Sequence, residues 1–341
     1  MTYQEVLAAA RACSGPFCKA CPVCNGVACK NTIPGPGAKG LGVGAMRNYQ
    51  AWQDIALNMD TIYENGALDL GVELFGQHFD LPVFAGPVGA LKMHYGEKYD
   101  DLAYNNILVA GAKNAGIAAF TGDGTNPVVF AGALDAIRAN GGAGIPTVKP
   151  WDMGTVAEKL EQSLAADPIA IAMDIDAAGL PFLQGLTPPA GSKTVEELKE
   201  IVKRCGDKPF ILKGIMTVKG ALKAAEAGAA AILVSNHGGR VLDQCPATAD
   251  VLEEIVAAVG DRMTVLVDGG IRTGVDVFKA LALGAKGVII ARPYVTAVYG
   301  GGEEGVKVYT EKLKAELADT MRMCGAHSIA EISRDMVRKL K

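Results

Sequence analysis

Residues 209–215 read PFILKGI, residues 231–240 read AILVSNHGGR and residues 264–272 read TVLVDGGIR. Each stretch begins as an apolar run and ends in polar side chains. A parallel strand is buried on both faces and therefore consists mainly of Val, Ile and Leu. Polar residues at the carboxyl ends of such strands are typical of ligand and catalytic sites. The three strand ends together predict an enzyme, with Lys213, Ser235, His237, Arg240, Asp268 and Arg272 as its candidate site residues.

The same apolar pattern occurs eight times along the chain. The predicted strands fall near residues 81–89, 115–123, 142–150, 168–176, 208–215, 229–237, 263–270 and 285–293. Segments with helical spacing lie between them, and several begin at a Thr or Asp that can cap a first turn. These segments include residues 101–114, 155–166, 194–205, 217–228, 248–260 and 273–284. Eight alternating units predict an α/β fold, the (β/α)8 TIM barrel.

A doubly wound open sheet is the alternative to the barrel. A GxGxxG turn directly after the first strand would favour it, and the sequence there is GPVGAL instead. A minimal barrel needs about 250 residues, so a chain of 341 leaves room for further segments. We predict an N-terminal extension with a cysteine-rich segment packed on the barrel at residues 1–80, and the barrel with C-terminal helices at residues 81–341.

Composition excludes several classes of partner. Half of the residues are hydrophobic, which is ample for a large core, and the formal net charge is −4. No cluster of Lys or Arg stands out, so nucleic acid is not an expected partner. The N-terminal MTYQEVLAAARACSG lacks the pattern of a signal peptide, and no run approaches the roughly 18 apolar residues of a membrane helix. We therefore expect a cytoplasmic protein with no membrane partner.

Three stretches of the chain resemble one known family. They are the segment from Lys213 through SNHGGRVLDQCPAT, the segment VDGGIRTGVDVFKALALGAKGVIIARP, and the late CGAHSIAEI. They resemble the FMN-dependent α-hydroxy acid oxidases and dehydrogenases, which include glycolate oxidase, lactate oxidase and flavocytochrome b2. The resemblance is dense from residue 208 to residue 334 and thin before residue 80. It implies a flavoprotein that oxidises a small L-2-hydroxy acid to the 2-oxo acid, and a homotetramer.

The resemblance also implies an FMN site at the strand ends. FMN carries a phosphate dianion and a ring that becomes negative on reduction, so its site needs a cation near the ring and donors at the phosphate. Lys213 matches the family's lysine against the ring, and Arg272 and Arg292 suit the phosphate. The other residues expected to bind FMN are Pro87, Val88, Gly89, Thr121, Ser235, Asp268, Gly269, Gly270 and Ala291.

His237 is the candidate catalytic base. Oxidation of a 2-hydroxy acid requires removal of the hydroxyl proton, and imidazole has an unperturbed pKa close to working pH. Arg240, three residues further on, can bind a substrate carboxylate through two parallel hydrogen bonds. Asp174, in the strand end AMDID, is the expected partner that orients the imidazole, and Asp176 is the competing candidate.

The chain departs from the family near the third and fourth strands. The resemblance calls for a second substrate arginine after the fourth strand, a tyrosine after the third, and another tyrosine in the N-terminal segment. The segment after the fourth strand reads AAGLPFLQGLTPPAGS, without arginine, and the third strand ends in TVKPWD. Lys149 or Trp151 is the expected replacement in the pocket wall.

The N-terminal segment CSGPFCKACPVCNGVAC contains five of the eight cysteines. Clustered cysteines in a cytoplasmic chain indicate metal or redox chemistry rather than disulfides. The spacing C-x2-C-x2-C-x4-C of Cys18, Cys21, Cys24 and Cys29 is close to a ferredoxin spacing without matching it, which suggests a [4Fe-4S] cluster. Zinc and free thiols are the alternatives. The resembling family carries no such cluster, so the hypothesis depends on these residues alone.

Two other functions stay open at this point. One is an FMN barrel isomerase or reductase similar to the type 2 isopentenyl diphosphate isomerase, with or without an iron-sulfur cluster. A diphosphate substrate would call for more cationic groups than His237 and Arg240 provide. The other is a redox sensor without catalysis, which the complete set of catalytic residue types disfavours.

Overall fold

The computed structural model of the chain describes residues 1–180, 183, 185–186 and 190–340. Its helices are α1 Tyr3–Cys13, α2 Val43–Gln53, α3 Leu91–Tyr95, α4 Asp101–Asn114, α5 Pro127–Ala139, α6 Met153–Leu164, α7 Val195–Arg204, α8 Val218–Glu226, α9 Thr248–Val259, α10 Gly274–Ala282 and α11 Arg292–Cys324. Its strands are β1 Ile55–Leu57, β2 Val72–Leu74, β3 Gln77–Phe79, β4 Val83–Ala85, β5 Ala118–Thr121, β6 Gly144–Val148, β7 Ile171–Asp174, β8 Phe210–Ile215, β9 Ala231–Val234, β10 Thr264–Asp268, β11 Gly287–Ile290 and β12 Val337–Lys339.

Strands β4 to β11 form a closed parallel barrel in sequence order. The barrel closes where β11 pairs with β4, with Val288 opposite Val83. Each of the eight predicted strand ranges contains one barrel strand. The predicted (β/α)8 fold is therefore confirmed, and the alternative of an open, doubly wound sheet is wrong.

Alternation along the strands separates two layers of core. One cluster fills the barrel with side chains that include Phe84, Phe120, Ile211, Leu233 and Leu266. Their strand neighbours point outward and pack in a second cluster with the surrounding helices. Because successive strand residues face opposite sides, every apolar position of these runs is buried. This burial on both faces explains why the runs lack polar residues until the strands end.

The residues before β4 close the barrel's lower end and cover part of its upper end. The β2–β3 hairpin places Phe79 against Phe84, with ring centroids 5.0 Å apart. Helix α1 packs on α11, where the rings of Tyr3 and Tyr309 stack at 5.0 Å. Residues 14–42, which include four of the five clustered cysteines, form an irregular segment along the upper rim.

The C-terminal segment differs from the predicted run of helices. The long helix α11 is interrupted at Gly302, which has a φ of 58°. After Cys324 the chain forms short 3-10 turns and then β12, which pairs antiparallel with β1. Ile55 lies opposite Lys339 in this pairing. The tail therefore packs on the N-terminal part of its own chain. In the described part of the chain, no helix is both long and apolar enough to cross a membrane.

Candidate active site

A cavity opens at the carboxyl end of the barrel and brings most of the predicted site residues together. Those that line it are Pro87, Val88, Gly89, Asp174, Lys213, His237, Arg240, Asp268, Gly269, Gly270, Arg272, Ala291 and Arg292. The other two residues predicted to bind FMN are buried at or next to strand ends. Ser235 is buried and its Oγ donates to Asp268 Oδ2 at 2.8 Å. Thr121 is buried at the end of β5.

His237 stands on a tight turn that directly follows β9. Its backbone φ is 56°, in the left-handed region that few non-glycine residues adopt. The turn is stabilised by Asn236, whose Oδ1 accepts from the Gly239 amide at 3.2 Å. Asn48 of α2 donates its Nδ2 to the same oxygen at 2.7 Å. The N-terminal extension therefore contributes to the position of the candidate base.

Glycine is required at position 239 by close packing. Its φ is 81°, and an added Cβ would lie 2.8 Å from the backbone nitrogen of Ala45 in α2. A side chain there would push α2 away from the turn. The close contact between this turn and α2 thus explains why the second glycine of SNHGGR is a glycine.

A buried carboxylate and a buried ammonium both face the imidazole. The Asp176 Oδ1 lies 3.1 Å from His237 Nδ1, and the Lys213 Nζ lies 3.1 Å from the same nitrogen. The Lys213 Nζ is 3.5 Å from Asp176 Oδ1. With Nδ1 engaged in this way, Nε2 remains the nitrogen available to a substrate.

The charges of this group shift one another's pKa values. Burial, and then the positive charge of Lys213, lowers the pKa of His237, which Asp176 partly offsets. Burial by itself would raise the pKa of Asp176, but Lys213 and His237 hold it well below its usual value. The pKa of Lys213 is raised, because Asp176 and Asp268 outweigh the effect of burial. The result is a neutral imidazole between an ionised carboxylate and an ammonium group.

One prediction about this group is wrong. Asp174 was the expected partner of His237, but its Oδ2 instead accepts from Lys149 Nζ at 3.1 Å. Strand β7 ends at Asp174, and a 3-10 turn from Ile175 to Gly179 follows. This turn carries Asp176 to the imidazole, so the competing candidate is the partner.

Lys149 lies in the cavity wall, as expected for a replacement of the residues that this chain lacks near the third and fourth strands. Its side chain is 8% exposed and lies between the strand ends of β6 and β7. The indole of Trp151, the other candidate, donates to Asp123 Oδ2 at 2.6 Å. Lys159 donates to the other oxygen of Asp123 at 2.9 Å. Asp123 was not among the predicted site residues, although it is the last residue of the predicted second strand range, 115–123.

Arg240 is held by the irregular N-terminal segment. Its Nη1 donates to the carbonyl of Gly35 and, at 3.4 Å, to the carbonyl of Gly37. The Gly35 amide donates to His94 Nδ1 at 2.8 Å. Burial, and then the neighbouring Arg292, lowers the pKa of Arg240 to about 10. The guanidinium thus stays charged at neutral pH and faces the cavity from a fixed position.

The roles of Gly35 and His94 had no sequence signal specific enough to predict them. Position 35 lies in the glycine-rich string PGPGAKG, which indicates a turn but no partner. Burial, and then Arg240, lowers the pKa of His94 to about 4. His94 is therefore a neutral acceptor at the cavity wall.

The strand ends present buried polar atoms that fit FMN. In the described part of the chain, several side-chain oxygens at the strand ends have no hydrogen-bond partner, namely those of Thr121, Thr147, Asp174, Asp176 and Asp268. An unpaired buried polar atom is costly, so such a group indicates a polar ligand. Ribityl hydroxyls and flavin ring nitrogens and oxygens would supply the missing partners. Burial raises the pKa of Asp268 to about 6.

The phosphate end of the expected FMN site is also present. Arg292 begins α11, and its Nη2 donates to the Gly238 carbonyl at 3.0 Å. Gly269 and Gly270 follow β10 with φ values of 88° and 85°. A helix N-terminus beside glycine amides and an arginine is a favourable anion site. These residues would hold the phosphate of FMN.

The candidate metal ligands fall into two groups. Among the described residues, Asp174, Asp176 and His237 place ligand atoms within 4.8 Å of one another. Lys149 and Lys213 already pair with these carboxylates, so the charges are compensated without a cation. Cys18, Cys21, Cys24 and Cys29 are free thiols of intermediate exposure on the upper rim.

Comparison with known proteins identifies the family. The family described as FMN-dependent dehydrogenase matches residues 36–184 and 182–339. The chain belongs to this family. The matched region begins at residue 36, inside the predicted N-terminal extension. This position is next to Gly35, whose carbonyl accepts a hydrogen bond from Arg240. The cysteine-rich segment lies before the match.

The chain is also similar to curated proteins and to a solved structure. A peroxisomal (S)-2-hydroxyacid oxidase of Arabidopsis thaliana is 50% identical over 146 residues, which are 43% of this chain and 39% of that protein. An FMN-dependent alpha-hydroxy acid dehydrogenase of Penicillium citrinum is 29% identical across 80% of this chain and 77% of that protein. A mandelate oxidase structure has a TM-score of 0.81 and 26% identity, covering 99% of this chain and 97% of that one. The chain thus spans less than half of the length of the plant relative it matches.

Proposed function

We propose that this chain binds FMN and oxidises a small L-2-hydroxy carboxylate to the 2-oxo acid. The observation that carries the proposal is that His237 and Lys213 line one cavity with Arg240, while Asp176 contacts His237 from behind. An imidazole base and a buried guanidinium are the two groups that oxidation of a hydroxy acid requires. Membership of the FMN-dependent dehydrogenase family supports the same reaction.

His237 acts as the base in this proposal. When Nδ1 donates to Asp176, the lone pair of Nε2 is free to accept the substrate hydroxyl proton. The imidazolium that forms is stabilised by the Asp176 carboxylate at 3.1 Å. The lowered pKa of His237 keeps the base unprotonated at neutral pH before substrate arrives. FMN, when bound, supplies the acceptor for the two electrons that leave the substrate carbon.

Arg240 binds the substrate carboxylate, and Lys149 adds a second positive charge. Arg240 donates to the carbonyls of Gly35 and Gly37 through Nη1 alone. The other nitrogens of the planar guanidinium can therefore donate to a carboxylate. Lys149 lines the same cavity from the end of β6. The pocket therefore combines one arginine with one lysine, where the resemblance called for two arginines and two tyrosines. The segment after β7 that lacks an arginine includes residues 181, 182, 184 and 187–189, which lie outside the described residues.

Lys213 would lie beside the flavin ring. It is 3% exposed and its pKa is raised, so it is charged whenever the site is intact. A fixed positive charge favours the reduced, anionic ring, because the charge is present before the reaction and needs no reorganisation. Arg272 and Arg292 would hold the phosphate.

Anaerobic mixing of the purified flavoprotein with glycolate, L-lactate and L-mandelate tests the proposal. We expect at least one acid to bleach the flavin absorbance, and D-lactate, the matched control, to leave it unchanged. His237→Gln should retain FMN and lose bleaching by about 10²- to 10⁴-fold, as expected for a lost general base. Bound flavin that no 2-hydroxy acid bleaches, or a variant as fast as the wild type, would contradict the proposal.

The oligomeric state and the cellular location remain predictions. The homotetramer and the cytoplasmic location follow from the resemblance and from composition, and the plant relative described above is named peroxisomal. The relatives described above are named oxidase and dehydrogenase, which gives no support to the isomerase alternative.

A further inference from the structure

The five clustered cysteines divide into one engaged thiol and four free ones. The Cys13 Sγ lies in α1 and donates to backbone carbonyls, among them that of Tyr299 at 3.3 Å. Cys18, Cys21, Cys24 and Cys29 donate no hydrogen bond within the described part of the chain, and none is in a disulfide. Four partly buried thiols without acceptors are the set left available as ligands.

These four thiols lie in one short stretch of the rim. Cys18 and Cys29 are eleven positions apart in the sequence, and the segment between them is irregular. Each of the four sulfurs lies within electrostatic range of the other three. Four thiolates this close together require a cationic centre between them.

The spacing of the four cysteines in the sequence disfavours zinc. Structural zinc sites are typically built from two separated pairs of ligands. Cys18, Cys21 and Cys24 instead form a C-x2-C-x2-C run that Cys29 follows, which is close to the ferredoxin spacing.

The protein around the thiols is suited to an anionic cluster. Arg272 Nε donates to the Cys24 carbonyl at 2.7 Å, and Arg11 Nη2 donates to the Ala20 carbonyl at 3.1 Å. The guanidinium of Arg292 lies within electrostatic range of Cys29. Nearby guanidinium groups stabilise negative charge.

We propose that Cys18, Cys21, Cys24 and Cys29 hold a [4Fe-4S] cluster on the upper rim of the barrel. The cluster site adjoins the flavin site, because Arg272 contacts both. Arg272 lines the cavity, and its Nε donates to the backbone carbonyl of Cys24 at 2.7 Å.

The cluster gives electrons a route out of the active site, a consequence that rests on the proposed oxidation of hydroxy acids. Oxidation of one 2-hydroxy acid releases two electrons and two protons. A [4Fe-4S] cluster carries one electron at a time. Two molecules of an external one-electron carrier protein would therefore be reduced for each acid oxidised, with both protons released to water.

Metal and sulfide analysis of the full chain purified without air tests the cluster directly. We expect about four iron and four acid-labile sulfide per chain, and an electron paramagnetic resonance signal after reduction with dithionite. Protein isolated without iron is treated anaerobically with ferrous iron and sulfide and measured again. One zinc per chain without sulfide, or no iron in either preparation, would overturn the proposal.

A pair of variants separates the ligand role from general damage. Cys21→Ser should lose the iron and the resonance signal and keep FMN. Cys245→Ser, at a partly exposed thiol outside the segment, is the matched control and should keep both. Equal iron in the two variants would contradict the ligand assignment. If Cys21→Ser fails to fold, the iron and sulfide content of the wild-type protein still tests whether the cluster is present. Iron analysis is independent of flavin bleaching, so either proposal can fail while the other stands.

Discussion

Replacement of Asp176 by Asn tests the geometry on which the proposed mechanism depends. The carboxylate lies 3.1 Å from His237 Nδ1, and both side chains are largely buried. At an effective dielectric constant of about 20, two unit charges about 4 Å apart attract by about 4 kcal/mol. The variant loses this stabilisation of the imidazolium that forms as the substrate is deprotonated. We therefore expect the rate of flavin reduction to fall about 10³-fold.

The pH dependence adds a readout that a general structural defect would not produce. The base must be neutral, so kcat/KM rises with pH as His237 loses its proton. Burial and Lys213 lower the pKa of His237, while Asp176 raises it. Removing the carboxylate charge lowers this pKa further, so the acid limb of the profile should move to lower pH. Stopped-flow measurement of anaerobic flavin reduction between pH 5 and pH 9 gives both quantities.

Asp174→Asn is the matched comparison, because it removes an equally buried carboxylate that pairs with Lys149. We expect a smaller loss of rate and a smaller shift of the acid limb. Both variants must retain FMN for the comparison to apply. A larger effect at Asp174 than at Asp176, or an acid limb that moves to higher pH in Asp176→Asn, would refute the assignment.

Three further predictions concern substrate binding and stability. Arg240→Lys should lower kcat/KM about 10- to 100-fold, because lysine cannot reproduce the planar fork, and an unchanged value would exclude the carboxylate role. Lys149→Met should lower the free energy of unfolding by about 3–5 kcal/mol, because it leaves Asp174 buried without its partner. Adding Asp174→Asn should restore most of that loss in chemical denaturation, and a purely additive double variant would argue against the pair. Gly239→Ala should cost about 2–4 kcal/mol, since its Cβ would lie 2.8 Å from a backbone nitrogen of α2. Gly76→Ala, at a φ of 72° in open space, is the control and should cost about 1–2 kcal/mol.

Much of the site could be predicted because it depends on local sequence. A residue at the carboxyl end of a buried parallel strand lies at the same end of the barrel as its counterparts on the other strands. This rule placed Lys213, His237 and Asp268 in one cavity, although 55 residues of sequence separate the first from the last. The rule does not say which side chains touch. Asp174 and Asp176 are two positions apart in a strand-like run, so alternation puts both on one face.

The sequence by itself determined the eight strands and the order of the barrel, and it indicated His237 as the candidate base. These features depend on the periodic burial of short runs, which is written in the chain without reference to distant residues. The tertiary structure decided that Asp176 rather than Asp174 meets His237, because a 3-10 turn after β7 rotates the chain there. It also decided that Gly35 holds Arg240 across 205 residues of sequence. Such contacts depend on how separate elements pack against each other. A local sequence pattern does not specify which distant carbonyl or carboxylate will contact a given side chain.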